Sequence, residues 1–83
     1  MTEEIRQIIS DHGRLPVDVG RLAVDADLYQ AGLSSHASVN VMLALEEHFD
    51  VEFPDSMLTP EVFESIASIE AAIARLHPEA SVS

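Results

Sequence analysis

The sequence predicts an all-α fold: a small bundle of three main helices plus one short helix, with a long ordered loop after the first. Three observations carry that expectation. Ile5, Ile8, Ile9 and His12 fall at i, i+3, i+4 and i+7, and Ile69, Ala72, Ile73 and Leu76 repeat the same spacing near the end of the chain. Ser38, Val41, Met42, Leu45 and Phe49 share one arc of a helix at 100° per residue. No strand-like alternation, internal repeat or low-complexity tract appears. With 83 residues, positions 1–83 make one domain and leave no room for a second. The core is expected over about 2–76, with 77–83 a frayed tail.

Taken in order, Thr2 is a candidate cap for the first helix, with Glu3 and Glu4 set against the positive end of its dipole and Gly13 as its stop. From Arg14 to Leu33 no period holds, because Pro16, Gly20 and Gly32 break it. Connections this long are uncommon in compact domains, and the spaced aliphatics Leu15, Val17, Leu22, Val24 and Leu28 imply a loop pinned across the helices. The second helix should run from Ser35 to Phe49 with Ser34 as N-cap. Its outward arc carries His36, Val39, Asn40, Leu43, Glu47 and Asp50. Two aliphatics therefore sit among polar residues. They either pack under the long loop or form a partner-docking strip rimmed by negative charge. After Phe53-Pro54-Asp55, a turn leads to a short helix with Pro60 at its first position behind Thr59. The last helix is expected to start at a Ser68 cap and close before Pro78.

Composition removes several function classes. There are 15 acidic residues against 4 basic ones, all Arg, for a net charge of -11. Nucleic acid phosphates and anionic membrane surfaces would be repelled; partners with basic patches are favoured. Without Lys there is no Walker A loop and no Schiff-base chemistry. Without Cys there is no disulfide scaffold, thiolate metal site or thiol nucleophile. No stretch approaches the roughly 20 apolar residues of a membrane span, and Met1-Thr2-Glu3-Glu4 does not read as a signal peptide. A soluble, cytoplasmic monomer is expected.

Three site motifs fail on spacing. Counted from Asp25, an EF-hand would need Gly at its sixth position and Glu at its twelfth, but Gly32 is the eighth and His36 the twelfth. The four His residues show neither HxxxH nor HExxH spacing, so no metal site is expected. Ser35 and His36 are adjacent and would point about 100° apart on a helix, which is wrong for a nucleophile and its base. No catalytic residue is expected.

One long motif remains. Asp27-Leu28-Tyr29-Gln30-Ala31-Gly32-Leu33-Ser34-Ser35-His36, continuing through Leu45-Glu46-Glu47-His48-Phe49 to Phe53-Pro54, resembles the acyl carrier protein family. In that family a segment like D-L-x-x-x-G-x-D-S-L precedes a helix ending in L-E-x-x-F and then an I-P or F-P dipeptide. The resemblance covers nearly the whole chain, the long first loop included, and implies an acyl-carrier-like bundle. It also implies that Ser35 bears a 4'-phosphopantetheine arm. A phosphodiester there would face unpaired N–H groups and the positive dipole end of a helix. Two departures stand beside it: Ser34 replaces the family's usual Asp, and His36 replaces its Leu. The Leu58–Phe63 region is longer than in fatty acid carriers. Together with Gly32-Leu33-Ser34-Ser35-His36, it is most similar to small bacterial aminoacyl carrier proteins, which are charged by ligases related to class II aminoacyl-tRNA synthetases.

The implied function is a non-catalytic carrier, converted from apo to holo by a phosphopantetheinyl transferase. A separate amino acid:carrier protein ligase would then load an amino acid on the arm as a thioester. Ser34 and His36 flank the attachment point; Val39, Asn40, Leu43 and Glu47 form the docking strip with Glu46 at its margin. The alternatives are an acyl carrier of polyketide, fatty acid or other acyl biosynthesis, and an acidic helical adaptor that is never modified.

Overall fold

The computed structural model describes residues 2–76, and the tail expected over 77–83 lies outside them. Four helices follow in order: α1 (Thr2–His12), α2 (Ser35–Phe49), α3 (Pro60–Phe63) and α4 (Ile66–Leu76). Short 3-10 turns sit at Val19–Arg21 and Asp55–Met57, and no strand occurs among the described residues.

The apolar spacing of the sequence becomes one core. Ile5, Ile8 and Ile9 of α1 meet Val41 and Leu45 of α2 and Ile66, Ile69 and Ile73 of α4 in one buried cluster. Phe53 and Phe63 close one side, their rings tilted with centroids 5.5 Å apart. The stripe of α2 is centred differently from the expected arc. Ala37, Val41 and Leu45 are its buried line, while Ser38, Met42 and Phe49 flank it half-buried. Ala37 was missed because a small methyl hardly registers as apolar in a periodicity count; here a small side chain lets the first turn of α2 sit close to the core. His12, placed on the buried face of α1 by its spacing, is exposed.

The long loop is ordered because several of its backbone polar groups are anchored to other elements. The Arg6 guanidinium reaches from α1 and donates to the carbonyls of Val19 and Leu22 at 2.8 and 2.7 Å. Further on, the Leu28 N–H donates to Glu64 O at 2.7 Å, and the Ala67 N–H to Val24 O at 2.8 Å. Val19, Leu28 and Leu33 are buried in the common core. Arg6→Met should therefore release the loop locally, at a cost of about 1.5 kcal/mol, since a guanidinium bonding to carbonyls is stronger than a neutral donor. Faster amide exchange at Arg21 and Leu22, which close the 3-10 turn, is the expected readout.

Helix ends differ from the sequence reading at both termini of the bundle. Thr2 already lies within α1, and its hydroxyl donates to the Glu70 carboxylate of α4, tying two helices together instead of capping one. At α4 the cap is Ser65 and not Ser68, because the helix begins at Ile66. The Ser65 hydroxyl accepts from Ser68 N–H at 3.0 Å, while the Ser68 hydroxyl accepts from Ser65 N–H at 3.1 Å. Each serine satisfies the other's backbone donor, as in a capping box. Thr59 precedes Pro60 as expected but makes no capping hydrogen bond with its side chain. α2 stops at Asp50, whose left-handed backbone (φ 54°) turns the chain while its N–H still reaches Glu46 O.

Candidate functional site

The turn that delivers the chain into α2 is fixed by its residues. The Asp27 carboxylate accepts from Tyr29 N–H at 2.9 Å, closing an Asx turn. Gly32 then takes φ +120°, and a Cβ there would come within 2.7 Å of Pro16 Cδ. Only glycine combines that angle with that approach. Leu33 is buried and donates its N–H to Leu28 O at 2.9 Å, so the residue entering the helix is anchored from both sides.

Ser34 follows in extended conformation (φ −85°, ψ 161°) and its hydroxyl accepts from Ala37 N–H at 3.0 Å. This is the expected N-cap. Ser34→Ala should cost about 1 kcal/mol and fray the first turn, visible as faster exchange of the Ala37 amide.

With Ser34 occupied as cap, Ser35 is left free. It is exposed at the first position of α2, and among the described residues no hydrogen bond engages its hydroxyl. Its carbonyl accepts from the Ser38 hydroxyl at 2.7 Å, which stiffens the turn beneath it. The N–H groups of Ser35 and His36 belong to the orphan donors of a helix start, and no carboxylate lies in the first turn. A monoanionic phosphodiester on Ser35 is thus electrostatically favoured there. His36 is exposed one position on.

Along the outward face, Val39 and Leu43 are 49% and 53% exposed, so neither packs under the loop. Asn40 and Glu47 are exposed with them. Leu43 lies ~12 Å along the helix axis from Ser35. Glu46 is half-buried, and its carboxylate accepts from Phe53 N–H at 2.8 Å, bracing the turn that leaves α2. The sequence reading missed a second wall: Gln7, Asp11 and His12 of α1 line an open groove opposite Asn40, Leu43 and Glu47. Nothing in a single helix's pattern reports which neighbour lies alongside it. Among the described residues no group of His, Cys, Asp and Glu is placed to hold a metal ion, and no helix is long and apolar enough to cross a membrane.

The model of the family described as phosphopantetheine attachment site matches residues 3–76. The aminoacyl carrier protein of Agrobacterium fabrum is 51% identical over 73 residues, covering 88% of each chain. One solved structure is an engineered Bradyrhizobium japonicum glycine:[carrier protein] ligase complexed with carrier protein from Agrobacterium tumefaciens and AMP. The chain there is similar with a TM-score of 0.86 at 51% identity, over 88% of this chain and 97% of that one. Another, of the Bradyrhizobium japonicum ligase complexed with glycylated carrier protein, matches with a TM-score of 0.73 at 30% identity, over 86% and 95% of the respective chains.

Proposed function

The chain belongs to the phosphopantetheine-attachment family of carrier proteins, and from that premise we propose that it is a non-catalytic aminoacyl carrier whose Ser35 bears the arm. The likeness to an aminoacyl carrier protein along most of the chain is the observation that carries this reading. The arm supplies a terminal thiol, absent from this Cys-free chain, on which an amino acid is held as a thioester.

The residues around Ser35 divide the remaining work. The Ser35 hydroxyl gives up its proton and becomes the ester oxygen when a phosphopantetheinyl transferase attaches the arm from coenzyme A. Ser34 holds the first turn in shape through Ala37, so the acceptor oxygen is presented on a rigid element. The N–H groups of Ser35 and His36 face the resulting negative charge. His36 flanks the attachment point and acts on partner contact rather than in chemistry. Val39, Asn40, Leu43 and Glu47 form the docking strip, with Glu46 bracing its margin. A ligase of the glycine:[carrier protein] kind is the loading partner. The same reading takes 1–83 as a single domain acting as a cytoplasmic monomer.

The test is a charging assay of the holo protein, offering small amino acids, malonyl and fatty acyl donors, each with its own loading enzyme. Aminoacyl transfer to the arm is expected. Efficient malonyl or fatty acyl loading without aminoacyl transfer would overturn the cargo and keep the carrier. Failure of the transferase to add any arm would point to the unmodified adaptor.

A further inference from the structure

The open groove between α1 and α2 has the dimensions and chemistry of a seat for a helix. Its α1 wall runs from Glu4 through Gln7 to Asp11 and its α2 wall from Asn40 through Leu43 to Glu47, about two turns each. Two helical turns span ~11 Å, so the groove matches a partner segment of two to three turns. Its floor is apolar: Ile8 is buried, Ala44 is half-buried, and Leu43 presents more than half its surface (53%). Its rim is acidic. Asp11 is held by Gln7, whose side-chain amide donates to Asp11 Oδ1 at 2.9 Å, at the end of the groove where α1 runs out beside Leu33, and Glu47 lies toward the other end.

We infer that this groove docks a cationic amphipathic helix of a partner protein, one apolar anchor seated on Leu43 and Ala44 with Arg or Lys reaching Asp11 toward one end and Glu47 toward the other. Charge selects the occupant. The chain carries -11 overall, and in the groove Glu4, Asp11 and Glu47 outnumber the one Arg, Arg14, that stands beside His12 and His48, so the rim favours a cationic helix over a neutral or acidic one. A second copy of this chain is disfavoured by the same repulsion. The inference goes beyond the carrier reading, because it adds α1 to a docking surface otherwise confined to α2. It also stands independently of whether Ser35 is modified.

The experiment titrates the apo protein, full chain, with a synthetic helical peptide bearing Leu at i and i+4 flanked by Arg, and follows amide shifts at low and high salt. A scrambled peptide of the same composition is the control. Shifts at Gln7, Asp11, Asn40, Leu43 and Glu47 together are expected, with affinity falling as salt rises. Asp11→Lys and Glu47→Lys, both exposed substitutions, should each weaken binding about fivefold. Circular dichroism of each variant checks that its fold is unchanged. Shifts confined to α2, equal binding of the scrambled peptide, or indifference to Asp11→Lys in a folded variant would each overturn the two-walled groove. Because apo protein is used, none of these outcomes bears on arm attachment.

Discussion

Ser35→Ala folds as the parent chain does and gains no phosphopantetheine mass when incubated with a transferase and coenzyme A. Both halves of that result follow from one arrangement. The capping bond at the start of α2 belongs to Ser34, and the Ser35 hydroxyl makes no bond that its loss would break. An exposed first-turn change of this kind costs within about 0.5 kcal/mol. Loss of modification is instead complete, since no other hydroxyl has the same freedom nearby. That of Ser34 accepts from Ala37 N–H and that of Ser38 donates to Ser35 O. Intact mass and a thermal melt on the same sample decide the matter. Modification that persists, or moves to Ser34, would remove Ser35 from its role.

Leu28→Ala has the largest expected effect on stability. Leu28 sits in the long loop, yet its side chain is wholly buried in the common core and its backbone bonds at both ends, N–H to Glu64 O and carbonyl to Leu33 N–H. Truncation leaves a cavity at the meeting point of the loop and α4. Its cost is about 3 kcal/mol, set against a total of roughly 4–12 kcal/mol for a chain of this length. The urea midpoint should fall by a large fraction, with unfolding still cooperative. Arm attachment should suffer as well, because the Leu28 carbonyl that anchors Leu33 N–H shifts when the loop settles into the cavity just before the site. A midpoint unchanged from the parent would mean that the loop is ornament and not core.

How much of this was legible depended on how local each cause is. The Ser34 cap was readable because its determinant spans three residues: a short hydroxyl that reaches the N–H of the third residue onward. The α2 boundaries were readable for the same reason. The start of α4 was not, since Ser65 and Ser68 are both good caps and their reciprocal bonds choose the earlier one. Thr2 was misassigned because its partner, Glu70, is remote in the chain. The loop was legible in outline only: spaced aliphatics said that it was pinned, but not that Arg6 held it. At the site, the resemblance supplied Ser35, while the wall of α1 beside Asn40 and Glu47 depended on helix placement that no linear pattern encodes.

The loop's anchors also bear on how the chain finds its fold. Val24 bonds Ala67, and Leu28 bonds Glu64, across spans that exceed a third of the molecule. Such closures require α4 to be in place first. Helical bundles usually collapse quickly because their contacts are local, whereas remote pairings raise the contact order and slow the final step. The refolding limb should therefore be slower than helix formation alone would give, and the Leu28 and Ala67 amides should be among the last to acquire protection. Ser35 follows that segment through the Leu33 bond to Leu28, so on the proposed reading a nascent chain becomes a competent acceptor only once that segment is anchored.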